Sequence, residues 1–135
     1  MDVDKKYALL MQDYLLETLL EQDQHELYLY TLTVLHTGLR ARDMLDLTWE
    51  QFDGDKFKDV KLHKISASIE KEVREDILIR NPQEYTNALN KIDIKSSGKM
   101  FTVKQKYGFT YLLKKYTGVP SIYSTDLRIY WSRLL

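Results

Sequence analysis

Apolar residues recur at helical spacing through the first third of the chain. Leucines that would lie on one face of a helix predict an amphipathic helix over residues 3–21. Residues 24–37 are apolar on most faces, which predicts a second helix at the centre of the core, with Gly38 as its C-terminal cap. A third, shorter helix is expected over residues 41–47. This part of the chain is therefore predicted to be helical.

The pattern changes over residues 56–80, where β-branched residues and leucine are separated mostly by polar residues. This alternation predicts two or three short antiparallel strands, with a turn near residues 70–72. Asn81 at a cap position, followed by Pro82, predicts the start of a helix that runs to about residue 92. The middle of the chain is thus predicted to be a small sheet followed by a helix.

The last third is again predicted to be helical. A polar loop covers residues 93–99, Thr102 is expected to cap a helix through Tyr116, and a last helix is expected from about Ser124. No repeat, low-complexity tract or long linker divides the 135 residues. The prediction is a single domain over residues 1–135, mainly α with a small antiparallel β-sheet (an α+β fold).

Composition narrows the classes of function. The chain has no cysteine, which excludes disulfides, thiolate zinc sites and a cysteine nucleophile. Its three histidines are too scattered along the chain for a metal motif. No run of about 18 apolar residues indicates a membrane span, and the first residues lack the basic-then-apolar order of a signal peptide. We therefore expect a cytoplasmic protein with no metal, no cofactor and no membrane contact.

Charge is unevenly distributed along a chain whose formal net charge is zero. Residues 1–53 contain 4 Lys and Arg against 11 Asp and Glu, a net charge of −7. Residues 95–135 contain 8 against 1, a net charge of +7. Such a basic segment fits an electrostatic footprint for nucleic acid, although composition alone favours lysines that are simply solvated on amphipathic helices.

The segment "HTGLRARDMLDLTWEQF" carries the most specific signal in the chain. It resembles the first conserved box of the tyrosine recombinase (phage integrase) catalytic domain, which reads Thr-Gly-Leu/Met-Arg, two residues, Glu, then leucines and Trp. The matching residues in this chain are Thr37, Gly38, Leu39, Arg40, Asp43, Leu45, Leu47 and Trp49. Asp43 stands in place of the glutamate. The resemblance implies a recombinase catalytic-domain-like fold.

A later segment, "STDLRIYWSRLL", resembles the second box of the same family, which usually reads His-x-Leu-Arg at the start of a helix. It places Arg128 in register and Thr125 where the histidine stands. In that family two arginines hold a scissile phosphate with their forked donors, so the resemblance implies this role for Arg40 and Arg128. The alternative is that Arg40 pairs with Asp43 or Asp46 and only caps helix ends.

Other positions depart from the family pattern. The family's hairpin lysine matches Lys71 first and Lys64 second, but Lys71 is flanked by two glutamates, which suits a solvated lysine better. Thr125 does not titrate near neutral pH and does not replace a histidine in proton transfer. The printed sequence ends seven residues after Arg128, before any counterpart of the tyrosine nucleophile box. We therefore expect no catalysis, and no tyrosine is assigned as a nucleophile.

These observations favour a catalytically inactive, recombinase-like protein that binds double-stranded DNA, as a regulator or accessory factor of a phage or mobile element. Self-association or another recombinase-type protein is a further expected partner. The residues expected to contact DNA are Arg40, Arg128, Lys104, Lys106, Lys114, Lys115 and Arg133. Two alternatives remain: part of an active integrase whose nucleophile lies elsewhere, and a protein-interaction module that kept the fold without DNA binding.

Overall fold

The computed structural model of the protein describes residues 14–104, 108–120, 122–123 and 126–128. Its elements are α1 (Tyr14–Glu21), α2 (His25–Thr37), α3 (Ala41–Met44), a 3₁₀ turn (Trp49–Gln51), β1 (Lys56–Ser66), β2 (Ile69–Leu78), α4 (Pro82–Leu89) and α5 (Gly108–Thr117). Residues 126–128 are helical as well. The α+β class is confirmed. The predicted helix over residues 3–21 is described only from Tyr14 onward, and the predicted start of the last helix lies outside the described residues.

The helix α2 lies at the centre of the core, as its apolar sequence predicts. Its residues 27–37 are buried, and α1, α4 and α5 all pack against it. The ring of Tyr30 stacks on that of Phe109 in α5, with the ring centroids 3.7 Å apart. Gly38 ends the helix in the left-handed conformation at φ 70°, and its N–H donates to the carbonyl oxygen of Val34. The predicted helix and its glycine cap are confirmed.

The helix α3 is shorter than the predicted span of residues 41–47, because the residues after it pair with a distant segment. The carbonyl oxygen of Leu47 accepts from the N–H of Met100 at 3.0 Å, and the N–H of Trp49 donates to the carbonyl oxygen of Gly98 at 2.9 Å. Thr48, which lies between them, is extended and forms a bridge with Lys99, so the helix ends before it. The prediction was therefore wrong about where this helix ends.

The strands β1 and β2 form a two-stranded antiparallel hairpin, and its turn lies earlier than predicted. Ser66 pairs with Ile69, so Ala67 and Ser68 form the turn, at φ 51° and 66°. Two-residue hairpin turns of this kind need positive φ at both central residues because that twist matches the twist of the strands. The prediction of a turn near residues 70–72 was wrong, since Ala and Ser carry no signal for positive φ.

A bulge interrupts the pairing near the start of β1. Lys58 and Asp59 together face Asp76 of β2, and Asp59 adopts a positive φ of 52°. The N–H of Asp59 donates to Oδ1 of Asp76 at 2.9 Å. The side-chain amide of Gln51 donates to the carbonyl oxygens of Lys58 and Asp59, at 3.1 Å each. The 3₁₀ turn thus satisfies the backbone groups that the bulge removes from the ladder.

The helix α4 begins where the sequence predicts. The Asn81 side chain accepts from the N–H of Glu84 at 3.1 Å, which satisfies one of the free donors of the first turn. The helix ends at Leu89, three residues before the expected limit. Its Tyr85 is fully buried, and the tyrosine hydroxyl lies 2.8 Å from Oγ1 of Thr33 in α2. This contact fixes α4 against the centre of the core.

Thr102 does not cap a helix, contrary to the prediction. Its backbone N–H and its hydroxyl both donate to the carboxylate of Glu26, in the first turn of α2, and the hydroxyl contact is 2.8 Å. Residues 101–104 are not helical, residues 105–107 lie outside the described chain, and α5 is described from Gly108. Thr102, which the local sequence pattern predicts as a helix cap, is thus bound instead by Glu26 from a distant part of the chain.

Candidate anion-binding site

A cavity of about 400 Å³ opens beside the C-terminal end of α2. The polar and charged side chains in its wall come from the end of α2, from α3 and its entry, from β1, and from the helical residues 126–128. They are Thr37, Arg40, Asp43, His63, Lys64 and Arg128. The two arginines that the sequence motifs single out therefore lie in one cavity, and Gly38 provides part of its backbone wall.

Arg40 lies at the entry of α3, where its backbone is extended (φ −77°, ψ 152°) and its carbonyl oxygen accepts the first helical hydrogen bonds. Its side chain is exposed and makes no hydrogen bond or ion pair with any residue in the described ranges. The alternative that Arg40 pairs with Asp43 or Asp46 is wrong in this structure. Asp46 instead lies 3.8 Å from Nζ of Lys99. The guanidinium of Arg40 is available to a ligand.

Arg128 is anchored to the end of α2. Its Nε–H donates to the carbonyl oxygen of Gly38 at 2.8 Å, and the side chain is half-buried. Burial lowers the pKa of Arg128, and the nearby charge of Arg40 lowers it further, while the charge of Asp43 acts in the opposite direction. An arginine stays protonated despite such a shift. The influence of Arg40 on Arg128 marks a site where an anion would relieve repulsion.

The hydrogen-bond partner of Asp43 is His63 and not an arginine. The side chain of Asp43 is 6% exposed. Oδ1 of Asp43 accepts from the backbone N–H of His63 at 3.0 Å and lies 3.1 Å from the ring Nδ1 of the same residue. The sequence reading missed this pair, because the histidine follows the aspartate by 20 residues and no local motif links them. His63 thereby becomes a fixed part of the cavity wall.

The structure places Lys64 in the cavity wall, whereas Lys71, the first choice from sequence, does not line it. The two lysines are register partners across the hairpin. Nζ of Lys64 lies 2.8 Å from the carboxylate of Glu75. Lys71 is exposed on β2. The lysine closest to the arginines is therefore already paired with a carboxylate.

The basic residues of the last third do not form one free surface. Nζ of Lys114 donates to the carbonyl oxygen of Pro120 and lies 3.7 Å from the ring centroid of Tyr123. Lys104 and Lys115 are exposed. The helix α5 packs against α1. Lys106, Thr125 and Arg133 lie outside the described residues.

In the described part of the chain, no three His, Cys, Asp or Glu side chains form a group that could hold a metal ion. Within the same ranges, no helix combines the length and apolar character that crossing a bilayer requires. Comparison with protein families, with curated proteins and with solved structures finds no significant match. The chemistry of the cavity must therefore be argued from its own residues.

Proposed function

We propose that the chain binds double-stranded DNA, with Arg40 and Arg128 holding one backbone phosphate, and that it does not cleave the strand. One observation carries this proposal: two guanidinium groups from distant parts of the sequence line the same cavity. The first has no partner among the described residues, and the second uses Nε for the carbonyl oxygen of Gly38. The terminal N–H groups of both arginines are the donors expected to reach the ligand.

The chemistry of guanidinium suits a phosphate ligand. A guanidinium group presents parallel N–H donors whose spacing matches two oxygens of a phosphate, and each such charge-assisted pair is stronger than a neutral hydrogen bond. The carboxylate of Asp43 does not neutralise Arg40, because it accepts from His63 instead. The cavity is half open, so a phosphate on the outside of a duplex can approach it without entering the core.

The resemblance to the tyrosine recombinases supplies the proposed biological role. In that family the two matching arginines hold the scissile phosphate, and a histidine in the second box assists proton transfer. In this chain Thr125 stands at the histidine position. A threonine hydroxyl does not titrate near neutral pH. We therefore propose an inactive relative that acts as a regulator or accessory factor of a phage or mobile element.

The test is a titration of a short mixed-sequence duplex, followed by fluorescence anisotropy, at about 50 mM salt and above. With phosphate contacts from basic residues of the last third as well as from the two arginines, we expect a log–log salt slope of roughly −4 to −5 for the natural chain. Arg40→Gln and Arg128→Gln should each weaken binding about tenfold or more and reduce the slope by about 1. Lys91→Gln removes one positive charge outside the cavity and serves as the matched control, with affinity close to that of the natural chain.

Folding must be monitored in the same samples, because Arg128 also holds the carbonyl oxygen of Gly38. Thermal unfolding separates a loss of structure from a loss of ligand contact. Arg128→Lys keeps the positive charge but loses the parallel N–H donors of the guanidinium group. This variant should therefore bind more weakly than the natural chain and show the same salt slope. The proposal fails if the natural chain does not bind duplex DNA at about 50 mM salt, or if both glutamine variants bind as tightly as it does.

An interaction module without DNA binding is the second candidate, and the charges of the hairpin favour it. Most basic side chains on β1 and β2 already have acidic partners within the hairpin or beside it. The pairs are Lys56–Asp76, Lys58–Asp53, Lys61–Glu72, Lys64–Glu75 and Arg74–Asp59. A surface that is neutralised in this way suits a protein partner better than a polyanion. The same DNA titration decides between the two candidates.

The third candidate is part of an active integrase whose nucleophile lies elsewhere. Incubation with a duplex that traps covalent intermediates, followed by a denaturing gel, tests the chain alone. We expect no protein–DNA adduct. An adduct that disappears when one tyrosine is changed to phenylalanine would show that the chain is catalytic.

A further inference from the structure

His63 brings a titratable side chain into the cavity beside the two arginines. Its Nδ1 lies 3.1 Å from Oδ1 of Asp43, and its side chain is 18% exposed. A carboxylate only accepts hydrogen bonds, so Nδ1 is the nitrogen that carries the proton in the neutral ring. Nε2 is then an acceptor in the neutral imidazole and becomes a donor only when the ring takes up a second proton.

Each element that packs around His63 presents a charged group to its ring. The buried carboxylate of Asp43 faces it from α3. Across the ladder its register partner is Glu72, whose carboxylate lies 3.4 Å from Nζ of Lys61. The cations in the same cavity wall are Arg40, Lys64 and Arg128. Asp43 and a bound anion would both place negative charge beside the ring, whereas the arginines place positive charge there.

We propose that His63 is a third phosphate ligand of this cavity, one that contributes only when it is protonated, so that DNA binding takes up a proton. This inference rests on the proposed function, since it concerns the same bound phosphate. In the protonated state Nδ1–H remains on Asp43 and Nε2–H donates to a phosphate oxygen. In the neutral state the lone pair of Nε2 faces the negative oxygen and repels it. The proton comes from solvent, and no covalent bond changes.

The expected consequence is that affinity depends on pH through one identified side chain. An imidazole changes its charge between about pH 5 and 8, whereas the arginines stay charged throughout. At constant ionic strength, the natural chain should bind a short mixed-sequence duplex about five times more tightly, or more, at about pH 6 than at about pH 8. At the higher pH the arginines hold the phosphate without a hydrogen bond from the ring.

Two variants isolate His63. His63→Gln should lose the dependence on pH, so that its affinities at about pH 6 and about pH 8 agree within about twofold, whatever their absolute level. His25→Gln removes an exposed histidine at the start of α2 and is the matched control, so it should keep the natural pH profile. Circular dichroism at each pH shows whether a variant is folded before its affinity is measured.

Calorimetry of the natural chain gives a second readout that needs no variant. Binding enthalpies measured near pH 7 in buffers of different ionisation enthalpy should reveal uptake of a fraction of one proton per duplex bound. If the duplex binds through Arg40 and Arg128 but no proton is taken up, or if the pH profile of His63→Gln matches that of the natural chain, this inference is wrong and the proposed function stands. If the natural chain binds no duplex at any pH, both are wrong.

Discussion

His36 should make the stability of the fold depend on pH. Its side chain lies near the C-terminal end of α2, is 3% exposed, and packs edge-on against the ring of Tyr85 with centroids 5.4 Å apart. Its Nδ1 has no hydrogen-bond partner among the described residues. Burial lowers the pKa of His36 from 6.5 to about 4, and the charge of Arg80 contributes to this direction. The folded chain therefore keeps this ring neutral.

The sign of the effect follows from where the unfolded chain binds its proton. Below about pH 6.5 the imidazole of the unfolded chain is protonated while that of the folded chain is still neutral, so unfolding takes up a proton. The contribution of His36 to stability is complete above pH 6.5 and is lost as the pH falls towards 4. A pKa difference of this size corresponds to about 3 kcal/mol. That is a large share of the roughly 5–15 kcal/mol typical of a domain.

Urea unfolding of the natural chain and of His36→Gln, at a series of pH values from about 7.5 to 4.5, measures this contribution. Carboxylates also titrate at the lower values, so the quantity of interest is the difference between the two proteins. We expect that difference to change by about 1.4 kcal/mol per pH unit in the middle of the window. His25→Gln, an exposed histidine, should follow the natural chain. Parallel loss of stability in the natural chain and His36→Gln would refute the reasoning.

Two further changes test the packing of the fold by urea unfolding at neutral pH. Replacing Ala67 and Ser68 by Asn and Gly should stabilise the hairpin by about 1 kcal/mol, because both residues have positive φ; an unchanged midpoint would contradict the turn assignment. Tyr85→Phe should cost about 1 kcal/mol by removing the 2.8 Å contact with Thr33, and it should cost little in a Thr33→Val background if that contact is its cause.

The parts of the fold that local chemistry decides were predictable from the sequence. The helix α2 needs apolar residues on most of its faces and a residue that tolerates positive φ at its end. Both requirements are visible in the consecutive residues up to Gly38. The start of α4 likewise depends on Asn81 and the residues directly after it. In such cases the partner of each backbone group lies within one turn, so a short window of sequence contains the whole interaction.

The parts that depend on distant partners were not predictable in the same way. The end of α3 is set by pairing with residues 98–100, and Thr102 is held by Glu26. The residues of the candidate site likewise fall into a predictable part and an unpredictable part. Motif spacing brought Arg40 and Arg128 together, whereas the engagement of Asp43 by His63 depends on how the hairpin lies against α3. A lone histidine in a strand gives no indication of such a partner.

The bulge in β1 determines which changes in length the hairpin can tolerate. Phe57 before the bulge and Val60 and Leu62 after it are all buried, although side chains along a regular strand point alternately to opposite faces. The extra residue restores the phase. Deleting Asp59 alone would place Phe57 and Val60 two positions apart, the spacing at which a regular strand directs both side chains to one face, so Val60 and Leu62 would stay buried. Among chains descended from a common ancestor, loss of this one residue should therefore be tolerated, whereas single insertions or deletions elsewhere in the strand exchange its two faces and should be lost by selection.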